Sequence, residues 1–179
     1  MSDATLIPRA AGAAQARLVS DQAYLDALIT LMRGARHRLL CSVFIVDLTP
    51  TDAGRLVVDE LLLLMAEARW RGADARLLVG GSRDNIALAE TADSARTRAL
   101  ALGLPCRWLS SRNVRGSHAK LVLADDTVLS GSHNWSPGAL VGDQQTQDSV
   151  CVSAAALARM AAQRFERQWR RAGDDHAAL

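Results

Sequence analysis

An α/β fold, with a mixed β-sheet sandwiched between helices, is predicted by three features of this 179-residue sequence. Helical periodicity and short apolar runs alternate up to Leu109. Beyond Pro105 the pattern changes to two strands joined tightly through Asp125 and Asp126. A final long helical period then closes the chain. With 49% hydrophobic and 22% charged residues the composition is globular and excludes a disordered or fibrous chain. The length suits a single domain, expected over 18–172, with flexible tails at 1–17 and 173–179.

The elements follow in order. Ser20 is placed to cap a helix over 21–33, whose apolar stripe is Tyr24, Leu25, Leu28, Leu31 and Met32 and whose stop is Gly34. A strongly apolar strand spans 37–46. Thr51 caps a second helix carrying Val57, Val58, Leu61, Leu62 and Met65 and ending near Gly72. A short buried strand at 75–79 is broken by Gly80-Gly81-Ser82, a plain loop in preference to a phosphate cradle. A third helix covers 85–102, and a strand 106–109. After a polar loop at 110–117 come strands at 118–123 and 128–130, a strand at 148–152 and a last helix at 154–171.

Cys41, Cys106 and Cys151 are an odd count without metal spacing, each in an apolar stretch, and read as reduced core residues. No apolar run reaches the roughly 18 residues of a membrane span, and residues 1–17 lack the pattern of a secretory signal. A cytoplasmic protein is expected.

The net charge of +2 is unevenly spread. Between Asp93 and Asp125 there is no acidic residue, while Arg96, Arg98, Arg107, Arg112, Arg115 and Lys120 all fall there. A local basic field of this kind suits a polyanionic or phosphate-bearing ligand, or is simply a solvated face. Lys120 is the single lysine among 21 basic residues, which points to a need for a compact ammonium at that position.

Chemistry concentrates in Ser117-His118-Ala119-Lys120 and in Gly131-Ser132-His133-Asn134-Trp135. On a strand, His118 and Lys120 project to one face. An imidazole can act as nucleophile or proton donor near neutral pH, and an ammonium beside it can hold a phosphate oxygen. Ser132 and Asn134 share the two-residue spacing and add neutral hydrogen-bonding groups. A three-residue loop at 125–127 would set Lys120 opposite Ser132 and His118 opposite Asn134. A two-residue loop would slip the pairing by one and turn Ser132 and Asn134 away. The chemistry asks for the first, or for a break in pairing at Gly131.

His118-x-Lys120-x4-Asp125 followed by Gly131-Ser132-x-Asn134 resembles the phospholipase D superfamily. The likeness extends through the strand at 38–46, the helix ending Ala68-Arg69-Trp70-Arg71-Gly72-Ala73 and the strand at 75–79. One departure is that five residues separate Asp125 from Gly131, where the family usually has six. The resemblance implies a phospholipase D-like α/β/α fold with one motif per chain. It also implies phosphodiester cleavage through a phosphohistidine on His118, without metal or other cofactor. Lys120 and Asn134 would grip the non-bridging oxygens, Ser132 would support them, and Asp148 would orient the histidine. Asp125 is expected to be structural.

Family members of double length carry two motifs. A single-motif chain would supply the second histidine by pairing, as a homodimer or with a heteromeric partner. Arg112 and Arg115, in the loop feeding His118, are the candidates for flanking phosphates. Trp135 is a candidate for base stacking or for the core, and His133 is expected to face solvent. The function expected is a metal-independent nuclease resembling the dimeric bacterial endonucleases, with nucleic acid, DNA or RNA, as partner. A phospholipase or phosphatidyl transferase is the alternative and would want an exposed apolar rim. A catalytically silent nucleic-acid-binding module is a third reading.

Overall fold

The computed structural model describes residues 14–50, 53–110, 116–142 and 145–174. Its order is β1 (Gln15–Ser20), α1 (Ala23–Gly34), β2 (Arg38–Val43), α2 (Ala53–Trp70), β3 (Asp74–Val79), α3 (Ile86–Ala101), β4 (Cys106–Trp108), β5 (Lys120–Ala124), β6 (Thr127–Gly131), α4 (Pro137–Leu140), β7 (Asp148–Ser153) and α5 (Ala155–Asp174). The strands form one mixed sheet in the order β1-β7-β6-β5-β2-β3-β4. β2, β3 and β4 run parallel, and β1, β7, β6, β5 and β2 pair antiparallel in turn.

Strand alternation sends neighbouring residues to opposite faces, so the buried strands supply two cores. Leu39, Cys41 and Val43 of β2 meet the α1, α2 and α3 side, where Leu28, Met32, Leu61, Leu62 and Met65 are fully buried. Leu40, Leu78, Leu123 and Val128 face α5 through Ala158, Ala161 and Phe165. Arg76 fastens that helix. Its guanidinium bonds Glu166 of α5 and Asp74 of its own strand, and lies over the Phe165 and Trp169 rings.

Several expectations are corrected. Gln15–Arg17, assigned to the flexible tail, begin β1 and pair with Ser153–Cys151. Gly173 and Asp174 belong to α5 instead of the C-terminal tail. Ser20 does not cap α1; its hydroxyl donates to Asp148 at 2.6 Å, and the cap position is Gln22 without a side-chain bond. Thr51 lies outside the described residues. β2 ends at Val43, before the predicted 46, because the chain turns there to meet Trp135 through a Val46 bridge. Cys41, Cys106 and Cys151 are free and buried, as the apolar setting implied. Among the described residues, no helix is long and apolar enough to cross a membrane.

The hairpin register is that of the two-residue turn: Ala124 pairs with Thr127 and Leu121 with Ser130. Asp125 takes a left-handed conformation, φ 48°, at this turn. Its carboxylate accepts the backbone N–H groups of Arg36, His37 and Arg38 at 2.8–3.0 Å, and its carbonyl accepts Arg38 Nε at 2.9 Å. Partial burial pushes the Asp125 carboxyl pKa up, but the three N–H donors and nearby His37 outweigh that and hold it below the usual range.

Replacing Asp125 with Ala leaves three N–H groups without their acceptor and should cost about 2–3 kcal/mol. Because the folded carboxyl is held low, its contribution is complete above the unfolded value of about 3.9. It is lost as the pH falls through the lower folded value. Urea unfolding of wild type and Asp125→Ala at pH 7 and again in strong acid should show a gap that narrows in acid. An equal gap at both would remove the charge from the explanation.

Candidate active site at one end of the sheet

Strand direction gathers the chemistry. Because β5 opposes β2, β6 opposes β5 and β7 opposes β6, one end of the sheet collects the C-terminal ends of β2, β3 and β6. The N-terminal ends of β5 and β7 arrive at the same end. His118 and Lys120, Ser132 and Asn134, and Asp148 all stand there.

Lys120 opens β5 opposite Val43. Its Nζ lies 3.3 Å from His118 Nδ1 and 3.5 Å from Nε2, so it approaches the ring and not one in-plane lone pair. Phe44, the residue after β2, supports both: its ring centroid is 4.2 Å from that of His118 and 4.9 Å from Lys120 Nζ. Partial burial lowers the Lys120 pKa from its ordinary value, and among the described residues no carboxylate pairs with it. His118 is exposed.

The segment feeding His118 is held tightly. Buried Ser117 shares a hydrogen bond with Ser42 Oγ at 3.1 Å, and its N–H donates to the Leu109 carbonyl at 3.3 Å. Gly80, after β3, is where this segment touches its neighbours: a Cβ there would lie 2.2 Å from the Ser117 carbonyl oxygen and 3.0 Å from Phe44 Cα.

The second half of the site comes from the chain leaving β6. β5 pairing stops at Ser130, while Gly131 pairs only with Ser149 of β7; this is the break that the chemistry allowed. The chain then crosses to the end of β2. Trp135 N–H donates to the Ile45 carbonyl, Asp47 N–H donates to the Trp135 carbonyl, and Ile45 N–H donates to Asn134 Oδ1 at 3.3 Å. Phe44 therefore supports His118 and Lys120 while its neighbour Ile45 fixes Asn134.

Ser132 is engaged with the start of β7. Its N–H and hydroxyl donate to the Asp148 carbonyl at 3.0 and 3.3 Å, and its hydroxyl accepts the Asp148 N–H at 3.1 Å. It ties β6 to β7. Asp148 accepts the Ser20 hydroxyl, and β6 separates its strand from that of His118. The two strand starts are thus two spacings, roughly 10 Å, apart. Within one chain Asp148 and His118 do not meet.

Burial decides for the core and against base stacking at Trp135, and overturns the solvent-facing expectation for His133. Trp135 is fully buried, its Nε1–H donating to the Tyr24 hydroxyl at 3.3 Å, so it is core and offers no face to a ligand. His133 is fully buried instead of solvent-facing. It stacks on Tyr24 at 4.0 Å with a 2° interplanar angle, and its Nδ1 bonds Ser149 Oγ at 2.9 Å. Burial is the main reason its pKa falls below the ordinary histidine value. Together these two rings pin the loop that carries Ser132 and Asn134.

Three of the six basic residues of the segment are engaged by the fold. Arg98 forms a two-pronged pair with Asp59, Arg96 pairs with Asp93, and Arg107 donates to the Trp169 carbonyl and lies over its ring. Arg112 and Arg115 lie outside the described residues. Sequence reasoning missed Phe44 and Arg83. Arg83, just past Gly80-Gly81-Ser82, lies over the Trp108 ring at 5.0 Å with a buried, unpartnered Nε. A cation in the loop after a buried strand was the available signal. Beside Asn134 opens a cavity of about 620 Å³ lined by Ser132, Asn134, Ser136, Gln145, Thr146 and Gln147 with small residues between them.

Gly80→Ala should move the His118 ring resonances in an NMR spectrum, because its Cβ would meet backbone on two sides. Gly34→Ala, with nothing within 4 Å, should leave them in place. Unchanged His118 signals in Gly80→Ala would show that this contact does not position the ring.

Comparison with known proteins agrees with this architecture. No curated protein sequence matches the chain. Nuc from Salmonella typhimurium, a phospholipase D family member, superposes with a TM-score of 0.70 at 16% identity, covering 88% of this chain and 95% of that one. NucT from Helicobacter pylori gives 0.63 at 13%, covering 88% and 97%. Phosphatidylserine synthase from Haemophilus influenzae gives 0.61 at 21%, covering 81% of this chain and 34% of that one. These likenesses are of fold. The model of the family "Cardiolipin synthase, PLD-like domain" matches residues 25–169, and by that match, over most of its length, the chain belongs to the phospholipase D-like proteins.

Proposed function

We propose that this protein is a phosphodiesterase that cleaves nucleic acid through a phosphohistidine on His118, at a site completed by a second copy of the chain. The observation that carries the reading is the pairing of an exposed imidazole with the ammonium of Lys120, which has no carboxylate partner among the described residues. An ammonium without a neutralising partner is available to a phosphate oxygen.

His118 attacks phosphorus, forming the N–P bond as the bond to the leaving oxygen breaks. A proton passes to that oxygen from His118 of the partner subunit. Water then attacks the phosphohistidine, surrendering its proton to the same partner imidazole, and the N–P bond breaks to release the product. Lys120 and the Asn134 amide nitrogen hold the non-bridging oxygens. Ser132 acts by fixing Asp148.

Two features favour a second copy. Asp148 does not reach the histidine of its own chain, and across a two-fold axis it is free to orient that of the other protomer. Beside the Ser20–Asp148 pair, Leu18 and Val150 stand opposite one another on the sheet at 67% and 45% exposure. They form an uncovered apolar pair suited to burial between two copies. Nucleic acid is favoured over lipid because the cavity at Asn134 is lined by neutral polar groups, and Arg83 adds a cation at the same end of the sheet for a flanking phosphate. The protein is read as acting without metal.

Wild-type protein in excess EDTA should cleave DNA or RNA and hydrolyse bis(p-nitrophenyl) phosphate. His118→Ala should lose at least about 10³-fold, as expected for removal of a nucleophile. Hydrolysis of phospholipid vesicles but no polynucleotide would overturn the nucleic-acid reading. Retention of activity by His118→Ala would overturn the mechanism.

Because Lys120 is held below its ordinary value, it loses its proton, and the site its charge, at a lower pH than a free lysine. The kcat/KM profile should therefore fall on the alkaline side before about pH 10.4. Lys120→Arg should keep a reduced activity without that limb. An alkaline limb unchanged in Lys120→Arg would assign the titration elsewhere.

Sedimentation should show a dimer, and Leu18→Asp should dissociate it with loss of activity. A fully active monomer would rule out the shared site.

A further inference from the structure

Among the described residues, four polar side chains around the cavity are not engaged in side-chain hydrogen bonds within the protein. Ser136 occupies the cap position of α4 but makes no side-chain capping bond. Among the described residues, Gln145, Thr146 and Gln147 likewise place no side-chain group in a hydrogen bond within the protein; Gln147 is anchored by its main chain alone, its N–H on Asp21 Oδ1 at 2.8 Å and its carbonyl on Asp21 N–H at 2.9 Å. A fifth group, the Asn134 side chain, spends its oxygen on Ile45 N–H and keeps its NH₂. These groups surround a cavity of about 620 Å³, within the range of roughly 300–1,000 Å³ usual for small-molecule sites.

The lining excludes as well as invites. Among the described lining residues there is no charged side chain and no aromatic ring, so those residues offer an ammonium headgroup no aromatic cage. The apolar contribution is a single alanine, Ala139, which cannot solvate an acyl chain. Carboxamides instead present a donor and an acceptor side by side, the complement of a base edge such as that of adenine. Asn134 lines this cavity and is also the residue assigned above to a non-bridging oxygen, which sets a group bound here next to the phosphate in the proposed reading.

We infer that this cavity is a nucleobase subsite, taking the base next to the scissile phosphate and reading its edge through Gln145 and Gln147. The inference rests on the phosphodiesterase reading for its substrate, and it adds a consequence: a base seated in a cavity is out of the helical stack. Single-stranded or locally opened nucleic acid is therefore preferred to intact duplex.

The test is binding, measured by titration calorimetry on the His118→Ala protein so that no turnover intervenes. The probes are the four common nucleoside 5′-monophosphates, glycerol 3-phosphate and phosphoethanolamine. At least one nucleotide should bind tenfold or more tightly than glycerol phosphate, which has the phosphate without the base. In the Gln145→Ala, Gln147→Ala double variant that preference should disappear. Thr146→Val, which removes a hydroxyl at nearly constant volume, should reduce it by a smaller factor. Equal binding of nucleotide and glycerol phosphate, an undiminished preference in the double variant, or tighter binding of phosphoethanolamine would each overturn the subsite. Base preference in a protein whose wild type fails to hydrolyse bis(p-nitrophenyl) phosphate would keep the subsite and remove the enzymatic reading. Hydrolysis without base preference would do the reverse.

Discussion

Asp125 holds the architecture on which the site depends, although it lies at the opposite end of the sheet. Its carboxylate gathers three consecutive N–H groups entering β2, and its left-handed backbone closes the two-residue turn between β5 and β6. One side chain thereby sets two registers, β5 against β2 and β5 against β6. A one-residue slip in either would turn the Lys120 side chain to the other face of the sheet. The aspartate at the end of the His-x-Lys motif thus does structural work at a distance, delivering Lys120 opposite Val43 and beside Phe44.

At the other end, the sheet is finished by close backbone approaches. Gly80 lets β3 lie against the Ser117 carbonyl, and a Cβ at Gly131 would lie 2.2 Å from the Asp148 carbonyl oxygen. Between them the loop after β6 is nailed down by two buried rings, His133 on Tyr24 and Trp135 beneath its hydroxyl. The polar groups left at the surface, Lys120, His118 and Asn134, sit on a framework that cannot give way easily. Such preorganisation is what binding a phosphate at a developing charge requires.

Most of the framework was legible because helices and buried strands write their periods into the chain. β2, β3 and the helices α1, α2, α3 and α5 are of that kind. β1 was not: Gln15–Ser20 is an edge strand whose first four residues are exposed, so no burial pattern marks it, and its pairing with β7 is a contact far along the chain. The His-x-Lys spacing brought His118 and Lys120 together, but the strand predicted from 118 begins only at Lys120, and His118 is placed beside it by the Ser117 anchor and the Phe44 ring. The inward turn of His133 and Trp135 was hidden, because it depends on the chain abandoning β5 after Ser130 and crossing to Ile45. No local pattern encodes that crossing. Counting charges along the chain could not show that Arg98 finds Asp59 and Arg107 the Trp169 carbonyl.

The separation of Asp148 from His118 gives the one-motif chain its logic. Asp148 begins β7 and His118 lies two residues before β5, at the same end of the sheet, and β6 lies between their strands, which stand roughly two strand spacings apart. An exposed carboxylate bonded to Ser20 at the start of β7 has no catalytic partner in the proposed reading if the chain works alone. Set against a two-fold axis, the same carboxylate faces outward beside an uncovered apolar pair, toward whatever binds there. Under the proposed mechanism the single chain is a half-site, with an acid that does not meet His118 and no second catalytic histidine to donate a proton. In the proposed dimer a second copy would supply the second histidine and give that acid a partner, and a closed two-fold arrangement would do both with one surface.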